Sequence, residues 1–363
     1  MNQDIRFVQR ETLKEKPDPA SLGFGQFFSD HMFVMDYDLK NGWHDPRIVP
    51  YGPLTLNPSS MVFHYGQAIF EGLKAYKTED GSIQLFRPEK NMKRLNDSCD
   101  RLCIPQIDEQ FLLKAIKQLI YIERDWVPSG EGTSLYIRPF IFSTEAHLGV
   151  HPSSEYKLLV ILSPSGAYYG SQLSPVKIKV EEHFVRAVVG GVGHVKTAGN
   201  YAASLKAQEV AEADGYAQIL WLDAKENKYV EEVGSMNIFF KINGEVITPK
   251  LNGSILPGVT RDSVLQILKH WNVPVREVKI SIEEVFAAHE RGELEEVFGA
   301  GTAAVISPVG DLNWNGNTIV INNEQIGEIS QRLYDTITGI QLGKIADPFQ
   351  WTVKIEAAET TIS

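Results

Sequence analysis

Gly191-Val-Gly-His-Val-Lys-Thr-Ala-Gly-Asn-Tyr201 is the stretch on which the reading of this chain turns. With Gly190 in front of it, the segment is too rich in glycine for a core strand. Glycine lets a backbone lie close against another group and turn sharply. Lys196 sits at the end of that run. A lysine in a loop is ordinarily a solvated cation with a pKa of about 10.4. The alternative is an amine held ready for chemistry, and the flanking sequence has to decide between them.

Toward the C-terminus, Tyr229-Val-Glu-Glu-Val-Gly-Ser-Met-Asn237 ends a strand-like run in two acids. Side chains alternate along a strand, so either Glu231 or Glu232 is expected to point inward. Leu256-Pro-Gly-Val-Thr-Arg-Asp262 reads as a tight turn feeding a helix. Helix N-termini present free N–H groups and a positive dipole end, which suits a phosphate. The plain alternative is a Pro-Gly turn capped by Thr260. Gly299-Ala-Gly-Thr-Ala-Ala304 puts small residues directly after an apolar run, a local break of the kind found at functional sites.

Elsewhere the periodicities are ordinary. Met92, Leu95, Cys99 and Leu102 predict a helix over 88–103, with Pro88 in its first turn. Phe111, Leu112, Ala115, Ile116 and Leu119 predict another over 108–124, capped by Asp108. Strands are expected at 134–142, 157–162, 177–182, 218–222 and 229–232. Asn243-Gly244 predicts a hairpin between 237–242 and 245–248. Helices are expected at 259–269, 282–290 and 324–338. The turn-rich run Ser163–Pro175 is the candidate interdomain connection.

The chain has 363 residues, more than one core usually carries, so two domains are expected. No run approaches the roughly 18 apolar residues of a membrane span. The polar N-terminus lacks signal or transit character, so the expected location is cytoplasmic. A net charge of −11 argues against a nucleic-acid partner. Cys99 and Cys103 do not have zinc-motif spacing and are expected as reduced, mostly buried thiols; no metal is expected. The P-loop, H-E-x-x-H, paired C-x-x-C and G-x-S-x-G are all absent, and Lys196 occupies the third glycine position of a dinucleotide fingerprint.

What remains matches the needs of pyridoxal 5'-phosphate: a lysine to form an imine, a carboxylate for the ring nitrogen, a donor for the ring hydroxyl and a phosphate cradle. The ordered set Gly191–Tyr201, Glu232-Val-Gly-Ser-Met-Asn237, Leu256–Arg261 and Gly301-Thr-Ala303 resembles the class IV, fold-type IV aminotransferases. Tyr65-Gly-Gln-Ala-Ile-Phe-Glu-Gly72, Leu85-Phe-Arg-Pro88 and Leu135-Tyr-Ile-Arg-Pro139 are similar to the branched-chain amino acid aminotransferases. The match runs from about residue 30 to about 340, and the set in order is far more specific than any single motif.

The resemblance implies an α/β (mixed α+β) fold. It would have a smaller N-terminal α/β domain (1–164), an interdomain loop (165–176) and a larger C-terminal pseudo-barrel domain (177–363). It implies Lys196 as Schiff-base lysine and proton shuttle, Tyr201 on the ring hydroxyl and Glu232 on the ring nitrogen. Arg87, Val259, Thr260 and Thr302 would hold the phosphate, with Ser235 beside the ring. Phe70, Tyr65, Tyr136 and Tyr168 would line the side-chain pocket, and Thr302 and Ala303 would hold the substrate carboxylate. Arg138 would steer a distal carboxylate or else form a structural ion pair. Residues near Leu148-Gly149-Val150 would reach a neighbouring subunit in a homodimer.

The implied reaction is transamination of leucine, isoleucine and valine with 2-oxoglutarate. The rivals are a D-amino acid aminotransferase or aminodeoxychorismate lyase, which a substrate panel separates, and a colourless small-anion-binding protein. Where mammalian relatives carry a C-x-x-C, this chain has Ala304 and Ser307, so thiol redox control is not expected.

Overall fold

The computed structural model describes residues 4–130, 132–166 and 173–356. They form two compact units. The first comprises the described residues of Met1–Ser171 with Val195–Ala198 and Gly339–Ser363; the second comprises those of Gln172–His194 and Gly199–Thr338.

The first unit holds a nine-stranded sheet. Its chain-order strands are β1 (Arg6–Phe7), β2 (His31–Asp38), β3 (Gly42–Pro50), β4 (Ala68–Phe70), β5 (Leu73–Lys77), β6 (Ile83–Phe86), β7 (Ser134–Ser143) and β8 (Glu155–Ser165). The spatial order is β1-β3-β2-β8-β7-β5-β6, with β4 also on β7, and β18 (Thr352–Lys354) adds to β6 from far along the chain. One face is covered by α2 (Pro88–Arg101) and α3 (Glu109–Ile122). Met92, Leu95 and Cys99 of α2 meet Phe111, Leu112, Ala115, Ile116 and Leu119 of α3 in the core with Leu85, Leu135 and Ile137. The expected Asp108 cap is present and accepts from Phe111 N–H at 3.0 Å. A short helix, α1 (Met61–Tyr65), precedes β4.

The second unit holds another nine-stranded sheet, with path β11-β10-β9-β16-β15-β12-β13-β14 and β17 on β16. These strands are β9 (Val176–Val180), β10 (Gln218–Leu222), β11 (Val230–Val233), β12 (Met236–Ile242), β13 (Glu245–Pro249), β14 (Val275–Val278), β15 (Leu294–Gly301), β16 (Val305–Trp314) and β17 (Asn317–Val320). A further pairing of β11 with β12 links strands beyond the open path. Its helices include α5 (Leu205–Ala213), α6 (Val259–His270) and α7 (Ile282–Glu290); α4 (Ala198–Ala202) and α8 (Glu328–Gln341) lie at the unit boundaries. Asn243 and Gly244 both take positive φ, 53° and 77°, as the two-residue hairpin between β12 and β13 requires. The architecture is the mixed α/β one anticipated.

Three expectations need correction. The last helix starts at Glu328 rather than 324, because Asn322, Asn323 and Glu324 all adopt left-handed φ values and cannot begin an α-helix. Cys99 is buried, but Cys103 is exposed, since α2 has ended and Cys103 turns the chain at φ 55°. Gly299 and Gly301 lie inside β15, where a Cβ would stand 3.0 and 2.9 Å from the Met236 side chain; packing keeps them small, and the irregular part is the turn after them.

Candidate active site

In the first unit, Lys196 sits where the glycine-rich loop meets β4. Thr197 forms an isolated bridge with Ile69, and Thr197 Oγ1 donates to Ala68 O at 2.8 Å. Phe70 N–H donates to Lys196 O at 3.0 Å, and Lys196 N–H donates to Ser98 Oγ on α2 at 3.1 Å. The Lys196 Nζ lies 5.0 Å from the Phe70 ring centre. Burial first, then the charges of Arg94 and Arg138, bring this amine down to about 8 against the opposing pull of Glu71 and Tyr136.

Glu71, next in chain to Phe70, is fully buried. Arg94 reaches it with both Nε (2.7 Å) and NH2 (2.9 Å), Asn91 Nδ2 donates at 2.8 Å, and Gly72 N–H at 3.1 Å. Burial alone would raise this carboxyl, but the Arg94 charge and hydrogen bonds carry it below its ordinary value.

Arg138 lies with its guanidinium 4.6 Å from the Phe70 ring centre and donates to Tyr136 Oη at 2.9 Å. Its Nε is buried with no hydrogen-bond partner among the described residues. Tyr136 Oη occupies the space that any side chain at position 72 would need, so Gly72 admits the tyrosine by having none. Phe70, Tyr136, Arg138 and Lys196 are thus brought together.

Arg87 is buried at the start of α2 in the left-handed region (φ 51°). Its N–H donates to Trp351 O at 2.7 Å, and its guanidinium stacks 4.7 Å from the Trp351 ring centre. Tyr65 is exposed, with its hydroxyl donating to Leu148 O; Leu148 and Val150 are exposed as well. Tyr168 lies outside the described residues. Glu145, His147 and His151 are the one group among the described residues arranged to hold a metal ion.

In the second unit both acids of the expected pair are buried, not one. Glu231 Oε1 accepts from Ser254 Oγ and from Asn252 Nδ2 (3.0 Å). Glu232 pairs through Oε2 with Arg186 Nε at 2.6 Å, while Oε1 accepts from Leu256 N–H at 3.0 Å and Asn237 Nδ2 at 3.4 Å. Gly234-Ser235 makes the tight turn between β11 and β12, leaving Ser235 exposed. Tyr201 lies on α4 and is partly buried.

Helix α6 begins at Val259 and Thr260, with Gly258 at its N-cap and no side chain capping it. A glycine N-cap has no side chain with which to cap the first-turn N–H groups. A Cβ on Gly258 would collide with Asn237 Oδ1, so a larger residue here must push that side chain aside. Thr302 and Ala303 form the turn between β15 and β16, closed by Val305 at φ 63°, a strained angle for a β-branched residue.

Chemically, the first unit offers an amine of lowered proton affinity and an unsatisfied buried guanidinium nitrogen on Arg138. The second offers an uncapped helix N-terminus and a buried carboxylate. Sequence reasoning missed Glu71, Asn91, Arg94, Ser98 and Arg186. Glu71 was within a quoted motif; Arg186 lies in a loop with no local signal.

The pattern of amino-transferase class IV matches residues 68–312. The chain belongs to the class IV aminotransferases. Within that family it groups with the branched-chain members. It is 63% identical over 355 residues to the branched-chain-amino-acid aminotransferase 2 of Bacillus subtilis, covering 98% of each chain. The Escherichia coli branched-chain amino acid aminotransferase structure aligns with a TM-score of 0.76 at 27% identity, over 90% of this chain and 99% of that one. The T.th. branched-chain amino acid aminotransferase, complexed with N-(5'-phosphopyridoxyl)-L-glutamate, aligns at 0.72 with 26% identity, over 89% and 98%. The chain is therefore an enzyme, an aminotransferase. No helix among the described residues is long and apolar enough to cross a membrane.

Proposed function

We propose that this enzyme transfers the amino group of L-leucine, L-isoleucine and L-valine to 2-oxoglutarate in two half-reactions, using pyridoxal 5'-phosphate. The observation that carries the reading is the Lys196 amine, held by backbone bonds on both sides against Phe70 and lowered to about 8. When bound, the cofactor supplies an electron sink for charge developing at the substrate's α-carbon.

The chain's residues do the rest. Lys196 would attach the cofactor through Nζ and, once released, take the α-proton on that nitrogen and hand it back. A base whose pKa lies near working pH is suited to both steps. Glu232, paired with Arg186, would accept from the ring N–H, and Tyr201 would donate to the ring hydroxyl. Arg87, the Val259 and Thr260 N–H groups and Thr302 would hold the phosphate, with Ser235 beside the ring. Phe70, Tyr65, Tyr136 and Tyr168 would form the apolar surround of the substrate. Thr302 and Ala303 would bind its carboxylate, and Arg138, with its unsatisfied Nε, the distal carboxylate of glutamate. That the T.th. relative is complexed with a phosphopyridoxyl glutamate supports the choice of co-substrate. Selection among the three branched side chains is modest, since one methylene is worth about 1–3 kcal/mol. Val150 would complete the pocket of a neighbouring subunit in a cytoplasmic homodimer. The chain's working domains would be 1–164 and 177–363, joined by the loop 165–176.

The test is borohydride reduction of the purified protein followed by peptide mapping, with a visible spectrum before and after L-leucine. Label on Lys196 and a leucine-dependent spectral change are expected. Label on another lysine, or none, removes the proposal, and activity with D-alanine or aminodeoxychorismate alone would reassign the reaction.

A further inference from the structure

Two residues grip the backbone of Lys196: Phe70, whose N–H donates to its carbonyl, and Ser98, whose Oγ accepts from its N–H. Both are chain neighbours of one buried ion pair. Phe70 immediately precedes Glu71, and Ser98 lies one helical turn after Arg94, with its Oγ donating to Arg94 O at 3.0 Å. The pair itself is two-pronged, 2.7 and 2.9 Å, and Asn91 on the same helix adds a third bond. A guanidinium fork on a carboxylate fixes distance and orientation together. It therefore ties the end of β4 to α2 at the two points from which Lys196 is held.

We propose that the Glu71–Arg94 pair is a positioning element for Lys196, fixing the backbone that carries its amine and facing that amine with two opposite charges. This rests on the reading of Lys196 as the cofactor lysine. The groups facing the amine are Glu71 after β4, Arg94 on α2, and Tyr136 and Arg138 on β7. While the pair is intact, its opposite charges work against each other at the amine. Neutralising one partner exposes the other: Arg94 alone repels a proton from Lys196, and Glu71 alone attracts one. A residue that only supported the fold would not produce shifts of opposite sign.

The experiment uses full-length protein stripped of cofactor. It is pulse-labelled with limiting acetic anhydride across a pH series, and the label at Lys196 is quantified by peptide mass. The wild-type midpoint is expected at about 8. Glu71→Gln should move it down and Arg94→Gln up, each by roughly one pH unit. Shifts in the same direction, or none, overturn the proposal.

Arg94→Lys guards against variants that do not fold, because it keeps the charge and loses the fork. Its midpoint should stay, while hydrogen exchange at the Phe70 and Lys196 amides speeds up about tenfold. Unchanged exchange there overturns the positioning role. If the wild-type protein traps no cofactor on Lys196, the proposed function fails, and the labelling shifts still report on the pair.

Discussion

Two buried carboxylate–arginine pairs, one in each unit, look alike and are built differently. Glu71 is held by Arg94 and Asn91 from one helix, with donors on both oxygens. Glu232 is held by Arg186 from a loop and by the Leu256 N–H of the turn before α6. The first pair is locked into regular structure and faces an amine. The second is assembled from irregular segments beside an uncapped helix end. A helix-borne pair suits fixed alignment; a loop-borne pair suits the ligand-facing role proposed for Glu232.

The largest effect that would sharpen this contrast is Lys196→Ala. It should reduce kcat by about 10^4-fold, as measured by steady-state transamination of L-leucine, with little loss of folding. Glu232→Ala comes next. It strands Arg186 in a buried site, which costs roughly 3–5 kcal/mol in denaturant unfolding. It should also lower kcat by about 10^2-fold. Glu71→Gln should leave maximal kcat, measured at its own optimum, much closer to wild type. Equal losses in these two variants would erase the distinction.

A smaller effect is expected from Gly258→Ala, whose Cβ must displace Asn237. The overpacking should cost about 1–3 kcal/mol, read as weaker cofactor retention on dialysis. Unchanged retention would disconnect the α6 end from the phosphate.

The smallest effect is a pH trend in the cofactor-free protein. Lys196 titrates at about 8 when folded and at about 10.4 when unfolded. Between those values the unfolded chain binds more protons, so stability rises with pH across the window and is level below about 8. Lys196→Met should flatten part of that rise in thermal melts taken from pH 8 upward.

Much of the fold was legible because local periodicity dictates it. The apolar faces of 88–103 and 108–124, the Asp108 cap and the Asn243-Gly244 turn are all in place. The glycine-rich loop around Lys196 was readable as a break in packing. The misplaced start of α8 arose where three successive left-handed residues override helix propensity. The strands of 31–50 were not read, and neither was the pairing of 352–354 with β6, because long-range pairing leaves no local trace. The burial of both Glu231 and Glu232 was invisible for a related reason. A strand carries one inward face only when the other face meets water, and here both carboxylates find partners. Arg186 could not have been chosen from sequence, since a loop arginine has no periodicity.

Strand β18 delivers the last edge of the first sheet long after its neighbour β6 leaves the ribosome; the nearby Gln84–Ile340 bond alone spans 256 positions. At roughly 5–20 residues per second, β6 waits tens of seconds with an open edge, and Arg87 waits as long for Trp351 to stack on it. An unpaired edge is a template for the wrong partner. Nascent chains stalled before residue 351 should therefore be prone to sticking to one another, and a chaperone that shields β-edges would raise the yield of this enzyme more than its finished stability suggests.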